Sequence, residues 1–187
     1  MDQRSWRVWK AMTFPRRVRA EIDEGSISVS LIGDSRHMAV AGALGRGLRK
    51  QLRGTGYKPQ VRYVISGLSA MKPDLLVLPE DTTEIEHPEG VGVLASGVPL
   101  VVEIVGFSSW RERELKPGFY AGAGIPVYVI VDDSDHGGAV TVLARPDPGR
   151  RAYDFSFRYP YGKNAVIPEG PAEGCVIGPE ITGVRSV

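Results

Sequence analysis

Apolar residues are densest between Pro99 and Asp132, where two β-branched runs, Pro99 to Val105 and Val127 to Val131, flank a charged and aromatic connector with room for a helix. The predicted order there is strand, helix, strand. Upstream, the alternation around Glu24-Gly25 predicts a β-hairpin, with Glu21 on its first strand. After a turn through Gly33 and Asp34, residues Val40, Ala43, Leu44, Leu48 and Leu52 recur at three- and four-residue spacing, which predicts an amphipathic helix from about His37 to Leu52, stopped by Gly54 and Gly56. Runs at Val61 to Ile65 and Leu75 to Leu78 read as strands, the latter entered through Lys72-Pro73-Asp74. The stretch from Pro79 to Gly97 reads as an irregular excursion. Ala139 to Ala144 and Tyr153 to Tyr159 read as an antiparallel pair, and the tail from Gly162 is expected to finish the sheet or cover an edge.

One domain is expected over residues 1–187, with an N-terminal arm in 1–20, a core over about 18–160 and a tail in 161–187. The arm places Trp6, Val8, Trp9, Met12 and Phe14 among basic residues. Such an arm either packs on the core or touches a phosphate backbone. An apolar fraction of 42% suffices for a core without staples, and a net charge of +1 argues against a massively basic coat while leaving room for a local basic groove. Arg46, Arg49, Lys50 and Arg53 form such a stripe on the polar side of the helix. Cys175 is the single cysteine, which excludes an internal disulfide and a cysteine-built zinc site. With no signal-like N-terminus and no run near the ~20 apolar residues of a membrane span, a cytoplasmic setting is expected. Phosphate-loop, dinucleotide, zinc-protease and serine-hydrolase motifs do not occur.

The chemistry lies in polar residues on or beside core elements: Glu21, Asp74, Glu103 and Lys116. Glu103 sits in the middle of an apolar strand, a costly position for an acid unless it is paired or binds a cation. Two carboxylates about 4 Å apart repel by roughly 1 to 4 kcal/mol, so converging acids either raise one pKa or recruit a cation. Magnesium commonly takes one or two carboxylates and keeps several waters. That leaves positions for a phosphate oxygen and an attacking water, with a lysine to orient the nucleophile or offset charge.

Pro73-Asp74 followed by Glu103 in VVEIV is similar to the PD-(D/E)XK nuclease pattern. More closely, Glu21 to Gly25, His37 ahead of the first helix, PDLLVLP, VVEIV, the Lys116 to Tyr120 spacing and AGIPVYVIVD together resemble the Uma-two family of restriction endonuclease-like proteins, over about residues 18–135. The resemblance implies an α/β fold, a restriction endonuclease-like mixed β-sheet flanked by helices, and a Mg2+-dependent DNA endonuclease, with Mn2+ able to substitute. It implies that Asp74 and Glu103 are the metal acids, that Glu21 is an accessory acid, and that Lys116 replaces a lysine which the simpler pattern puts at position 105, here Val105. Gly106 and Glu112 stand where the family usually has serine and more often has aspartate. Pro117 predicts a helix starting beside it, with Lys116 at its cap and Glu112 in a preceding turn. A homodimer is expected, because one such site cuts one strand. The alternative is a nuclease-fold protein that binds nucleic acid without cutting it.

Overall fold

A computed structural model of the chain describes residues 7–9, 11–13, 18–31, 33–87, 90–106 and 110–183. Much of the expected N-terminal arm, including Trp6 and Phe14, lies outside the described residues, as does Ser108. Residues 7–9 and 11 are helical. Trp9 is fully buried, with its ring edge-on to Tyr63 at 5.6 Å, so this part of the arm packs on the core.

The fold is mixed α/β, built on two six-stranded sheets rather than one. In the first, strands β1 (Val18–Asp23), β2 (Ser26–Leu31), β4 (Tyr63–Ser66), β5 (Ser69–Met71), β7 (Ile85–His87) and β8 (Gly90–Leu94) run in the order β2-β1-β5-β4-β8-β7. The β1–β2 turn has two residues, Glu24 and Gly25, both at positive φ, which matches the right-handed twist of a hairpin. The stretch expected to be irregular after Pro79 supplies β7 and β8. Its glycines and prolines obscure the strand pattern, and pairing to β4 rather than local propensity decides its conformation.

The second sheet carries the candidate chemistry. Strands β3 (Tyr57–Gln60), β6 (Leu75–Pro79), β9 (Leu100–Val105), β10 (Val127–Asp132), β11 (Ala139–Asp147) and β12 (Ala152–Pro160) run in the order β12-β11-β10-β9-β6-β3. β9 is internal, parallel to β10 and antiparallel to β6, and all six of its residues are buried. Strand alternation then sorts its side chains. Leu100, Val102 and Ile104 pack on one face with Val40, Leu44 and Leu48 of helix α1 (Ser35–Gln51). Val101 and Val105 face the other way, among Phe119 and Tyr120 of helix α2 (Lys116–Gly122) and Val64 and Met71 of the first sheet. Glu103 shares that second face, between the two sheets.

Helix α1 starts where Asp34 accepts the backbone N–H of His37 at 3.0 Å, an N-cap that places His37 inside the first turn rather than ahead of the helix. Burying Val40, Leu44 and Leu48 contributes about 1.5–3 kcal/mol each. The tail joins neither sheet. Strands β13 (Ala165–Val166) and β14 (Val176–Ile177) pair with each other, and Ile167, Cys175, Ile177 and Ile181 close over the α1 side of the core. No helix among the described residues is long and apolar enough to cross a membrane.

Candidate active site

All four residues singled out in the sequence come together on the face of β9 that lies between the two sheets, each delivered by a different element. β6 and β9 pair from Leu75 opposite Val102 onward, so continuing that register would set Asp74 opposite Glu103. Asp74 leaves the ladder there, and its carboxylate takes the strand's next amide instead: Ile104 N–H donates to Oδ2 at 2.7 Å. The proline before it supplies no competing donor. Glu103 Oε1 accepts from Lys116 Nζ at 2.8 Å and from the Tyr120 hydroxyl at 3.0 Å. Glu21 Oε1 lies 3.0 Å from the same Nζ and accepts the Lys72 backbone N–H at 2.9 Å, tying β1 to the Lys72-Pro73-Asp74 corner.

Lys116 reaches Glu103 because the connector after β9 folds back over the sheet. Residues Arg111–Leu115 form a wide π-helical turn that runs straight into α2, so the chain stays helical through the stretch where a break was expected. Lys116 N–H bonds to Arg111 O, five residues back, and Pro117 falls in the first turn of α2. The widened turn accommodates a proline ring that would clash with the carbonyl four residues earlier in a regular helix. Lys116 is therefore the first residue of α2, and Glu112, one turn back, lies 3.5 Å from its Nζ. Arg113 pins the turn to the end of β10 through Asp132, at 2.6 and 2.9 Å. Asp132 thus has an anchoring role at a distance from the acids.

Two more side chains join the cluster that sequence reasoning did not place there. Arg19 donates to Asp74 Oδ1, and its Nη1 lies 3.6 Å from Glu103 Oε2. It precedes Glu21 by two residues on β1, so the strand period puts both on one face, a signal present in the sequence. His37 Nε2 lies 3.0 Å from Asp74 Oδ1. No sequence signal connects positions 37 and 74, although the imidazole needs a glycine nearby: a Cβ on Gly33 would sit 2.2 Å from the His37 ring.

The electrostatics follow from burial and neighbours. Burial opposes the charge of Asp74, but the hydrogen bond from His37 and the charge of Arg19 outweigh it and hold the carboxyl well below the usual range. Glu103 goes the other way. It has no solvent exposure (0%), and burial together with the charges of Asp74 and Glu21, against the pull of Lys116 and Arg19, pushes it up to about 8. Lys116 is equally buried (0%), and the attraction of Glu103 and Glu21 overcomes that burial and keeps its pKa above the ordinary lysine value. The hydrogen bond to Asp74 raises the pKa of His37. One polar atom remains unsatisfied at the centre: Glu103 Oε2 is buried and accepts no hydrogen bond.

A divalent cation suits this place on chemical grounds. The oxygen without a hydrogen bond lies 3.6 Å from the guanidinium of Arg19, which also pairs with Asp74 and so already supplies a positive charge between the two carboxylates. Among the described residues no group of three or more His, Cys, Asp and Glu side chains is arranged to hold a metal ion. Only a two-carboxylate ligand set with water in the other positions is thus available, which is the habit of magnesium. A surface cavity of about 560 Å³ lies elsewhere, beside Glu24, Phe119 and Arg151, and none of the four candidate residues lines it.

A mixed sheet that brings an aspartate, a glutamate and a lysine to one strand end defines a restriction endonuclease-like fold. The family profile Uma2, described as "Putative restriction endonuclease", matches residues 7–164, and the chain belongs to that family. The crystal structure of a "putative nuclease belonging to DUF820" from Anabaena variabilis is similar over 92% of this chain and 93% of its own, with a TM-score of 0.69 and 13% sequence identity, a likeness of fold. No curated protein matches the sequence.

Proposed function

We propose that this protein is a Mg2+-dependent endonuclease that hydrolyses DNA phosphodiester bonds, with Mn2+ able to substitute. The observation that carries the reading is Glu103: a fully buried carboxylate with one oxygen that accepts no hydrogen bond, tied to Asp74 through Arg19, in a chain of a nuclease-like family. Asp74 and Glu103 would hold the ion, which when bound supplies charge for the phosphate oxygens and acidifies a coordinated water. His37 and the Ile104 amide orient Asp74. Tyr120 and Lys116 orient Glu103.

Lys116 has three donors, and three carboxylates surround it. To position a nucleophilic water it must release one of them. Glu112 is the one to yield, being the most distant of the three at 3.5 Å and the most exposed. Glu21 then keeps the ammonium in place. The basic stripe offers contacts for a phosphate backbone: Arg46, Arg49 and Lys50 are exposed on α1, and Arg53 is exposed just past its end. Cutting both strands calls for two such sites, so a cytoplasmic homodimer is part of the reading.

Plasmid DNA incubated with purified protein and Mg2+ or Mn2+ tests it. Cleavage by the wild type that D74N, E103Q and K116M lose is the expected result. A protein that stays inert with every metal and substrate, with metal affinity unchanged in Asp74→Ala, refutes it. One observation favours the second reading, a nuclease-fold protein that binds nucleic acid without cutting: Arg19 already compensates the acid pair. Salt-dependent DNA binding with no metal requirement would select that reading.

A further inference from the structure

The cations at the site differ in how they are held. Lys116 is sealed in, with no exposure of its side chain and carboxylates on every donor. Arg19 spans the gap between the two proposed metal acids from the outside. Its guanidinium donates to Asp74 Oδ1 and lies 3.6 Å from Glu103 Oε2, the oxygen that accepts no hydrogen bond, and its side chain is 13% exposed. Unlike Lys116 it has a path to solvent, and unlike His37, which reaches Asp74 alone, it touches both acids. An ion bridging Asp74 and Glu103 would need the ground the guanidinium occupies, and two cations that close repel each other.

We propose that Arg19 is a built-in counter-cation that holds the Asp74–Glu103 pair closed in the ion-free protein and must leave it for a divalent metal to bind. This rests on the reading of Asp74 and Glu103 as the metal acids. In the ion-free state the guanidinium prevents the two carboxylates from facing each other uncompensated in a buried place. When the ion binds, the charge is supplied from elsewhere and Arg19 becomes redundant at the pair. The cost is affinity. Metal binding is weakened by the free energy of displacing the arginine, in the way that any ligand is weakened when its binding-competent state is a minor one.

The test is a titration of Mn2+ into wild type, Arg19→Gln and Arg19→Lys, with free Mn2+ read by electron paramagnetic resonance at one pH and low salt. Arg19→Gln is expected to bind Mn2+ at least tenfold more tightly than wild type, while Arg19→Lys stays within about threefold of wild type because it keeps the charge. Equal or weaker binding by folded Arg19→Gln overturns the proposal. Should Arg19→Gln fail to melt cooperatively, the wild type answers alone: the Arg19 Nε–H resonance, assigned by its absence from Arg19→Lys, is expected to shift and exchange faster with solvent as Mg2+ saturates. An unchanged resonance at saturation overturns the proposal. Binding by wild type without a gain in Arg19→Gln removes this inference and leaves the metal reading standing. If no folded variant and no wild type binds Mn2+ or Mg2+, the metal reading fails and this inference falls with it.

Discussion

Replacing Lys116 by methionine isolates the electrostatics of the site from its chemistry. Methionine fills a similar volume in a pocket with no solvent exposure, so packing changes little. The variant leaves Glu103 and Glu21, whose oxygens lie 2.8 and 3.0 Å from Nζ, without their shared cation. Removing one partner of a buried pair costs about 3–5 kcal/mol, but only while the carboxylates remain charged. Protonation is the way out, and its cost depends on pH. With Glu103 already pushed up to about 8 in the wild type, a proton costs it about 1.4 kcal/mol at pH 9 and nothing at pH 5.5, at 1.36 kcal/mol per pH unit. K116M should therefore escape the full penalty by protonating Glu103, losing about 1.4 kcal/mol more at pH 9 than at pH 5.5, where Glu103 already carries its proton. Urea titrations of wild type and variant at both pH values measure the two differences. Equal losses at the two pH values, or a variant more stable than wild type at pH 9, would refute the idea that Lys116 neutralises charged acids.

Other consequences are more local. The His37–Asp74 pair raises the pKa of His37, so its stabilisation is fully present below the unfolded value near 6.5 and is lost as pH rises through the higher native value; H37Q should flatten the stability-against-pH curve of urea midpoints over that window. Asp34→Ala removes the N-cap of α1 and should cost about 1 kcal/mol, with a weakened hold of His37 on Asp74 visible in the imidazole chemical shifts. Leu44→Ala, in the middle of the α1 packing against β9, should cost about 2–5 kcal/mol in the same denaturation assay. Converting Arg46, Arg49, Lys50 and Arg53 to glutamine should reduce the slope of log affinity for duplex DNA against log salt by about 0.9 for each phosphate that is no longer neutralised, while substitutions at the acids should leave that slope alone.

Strands β9 and β10 of the second sheet could be read in advance because burial on both faces writes itself as unbroken β-branched runs, as in Leu100–Val105 and Val127–Asp132, whereas edge strand β3, with its Lys58-Pro59, carries no such run. The parallel pairing of β9 with β10 followed from the helical length of chain between them. What stayed hidden was set by partners distant in sequence. β7 and β8 take strand form by pairing in the first sheet, among residues whose own propensities suggest a loop. The tail's apolar residues close over α1, a surface that no local pattern announces. At the site, Glu103 was conspicuous as an acid in an apolar strand, Asp74, Glu21 and Lys116 joined it as polar residues on or beside core elements, and the resemblance gave them roles. Arg19 escaped notice because a single arginine on a short strand looks like a solvated residue, and only the meeting of β1 with the end of β6 gives it two carboxylates to bridge. The proline at 117 was correctly read as a disturbance of the helix, but the chain absorbs it by widening one turn.

The central claim is that Asp74 and Glu103 form a site for one divalent cation. Crystals soaked in Mn2+ and measured for anomalous scattering test it directly. One anomalous peak within coordination distance of both Asp74 and Glu103, with the Arg19 guanidinium withdrawn from between them, is the predicted result. A peak elsewhere, or no peak at saturating Mn2+ with Arg19 still bridging the two carboxylates, would contradict it.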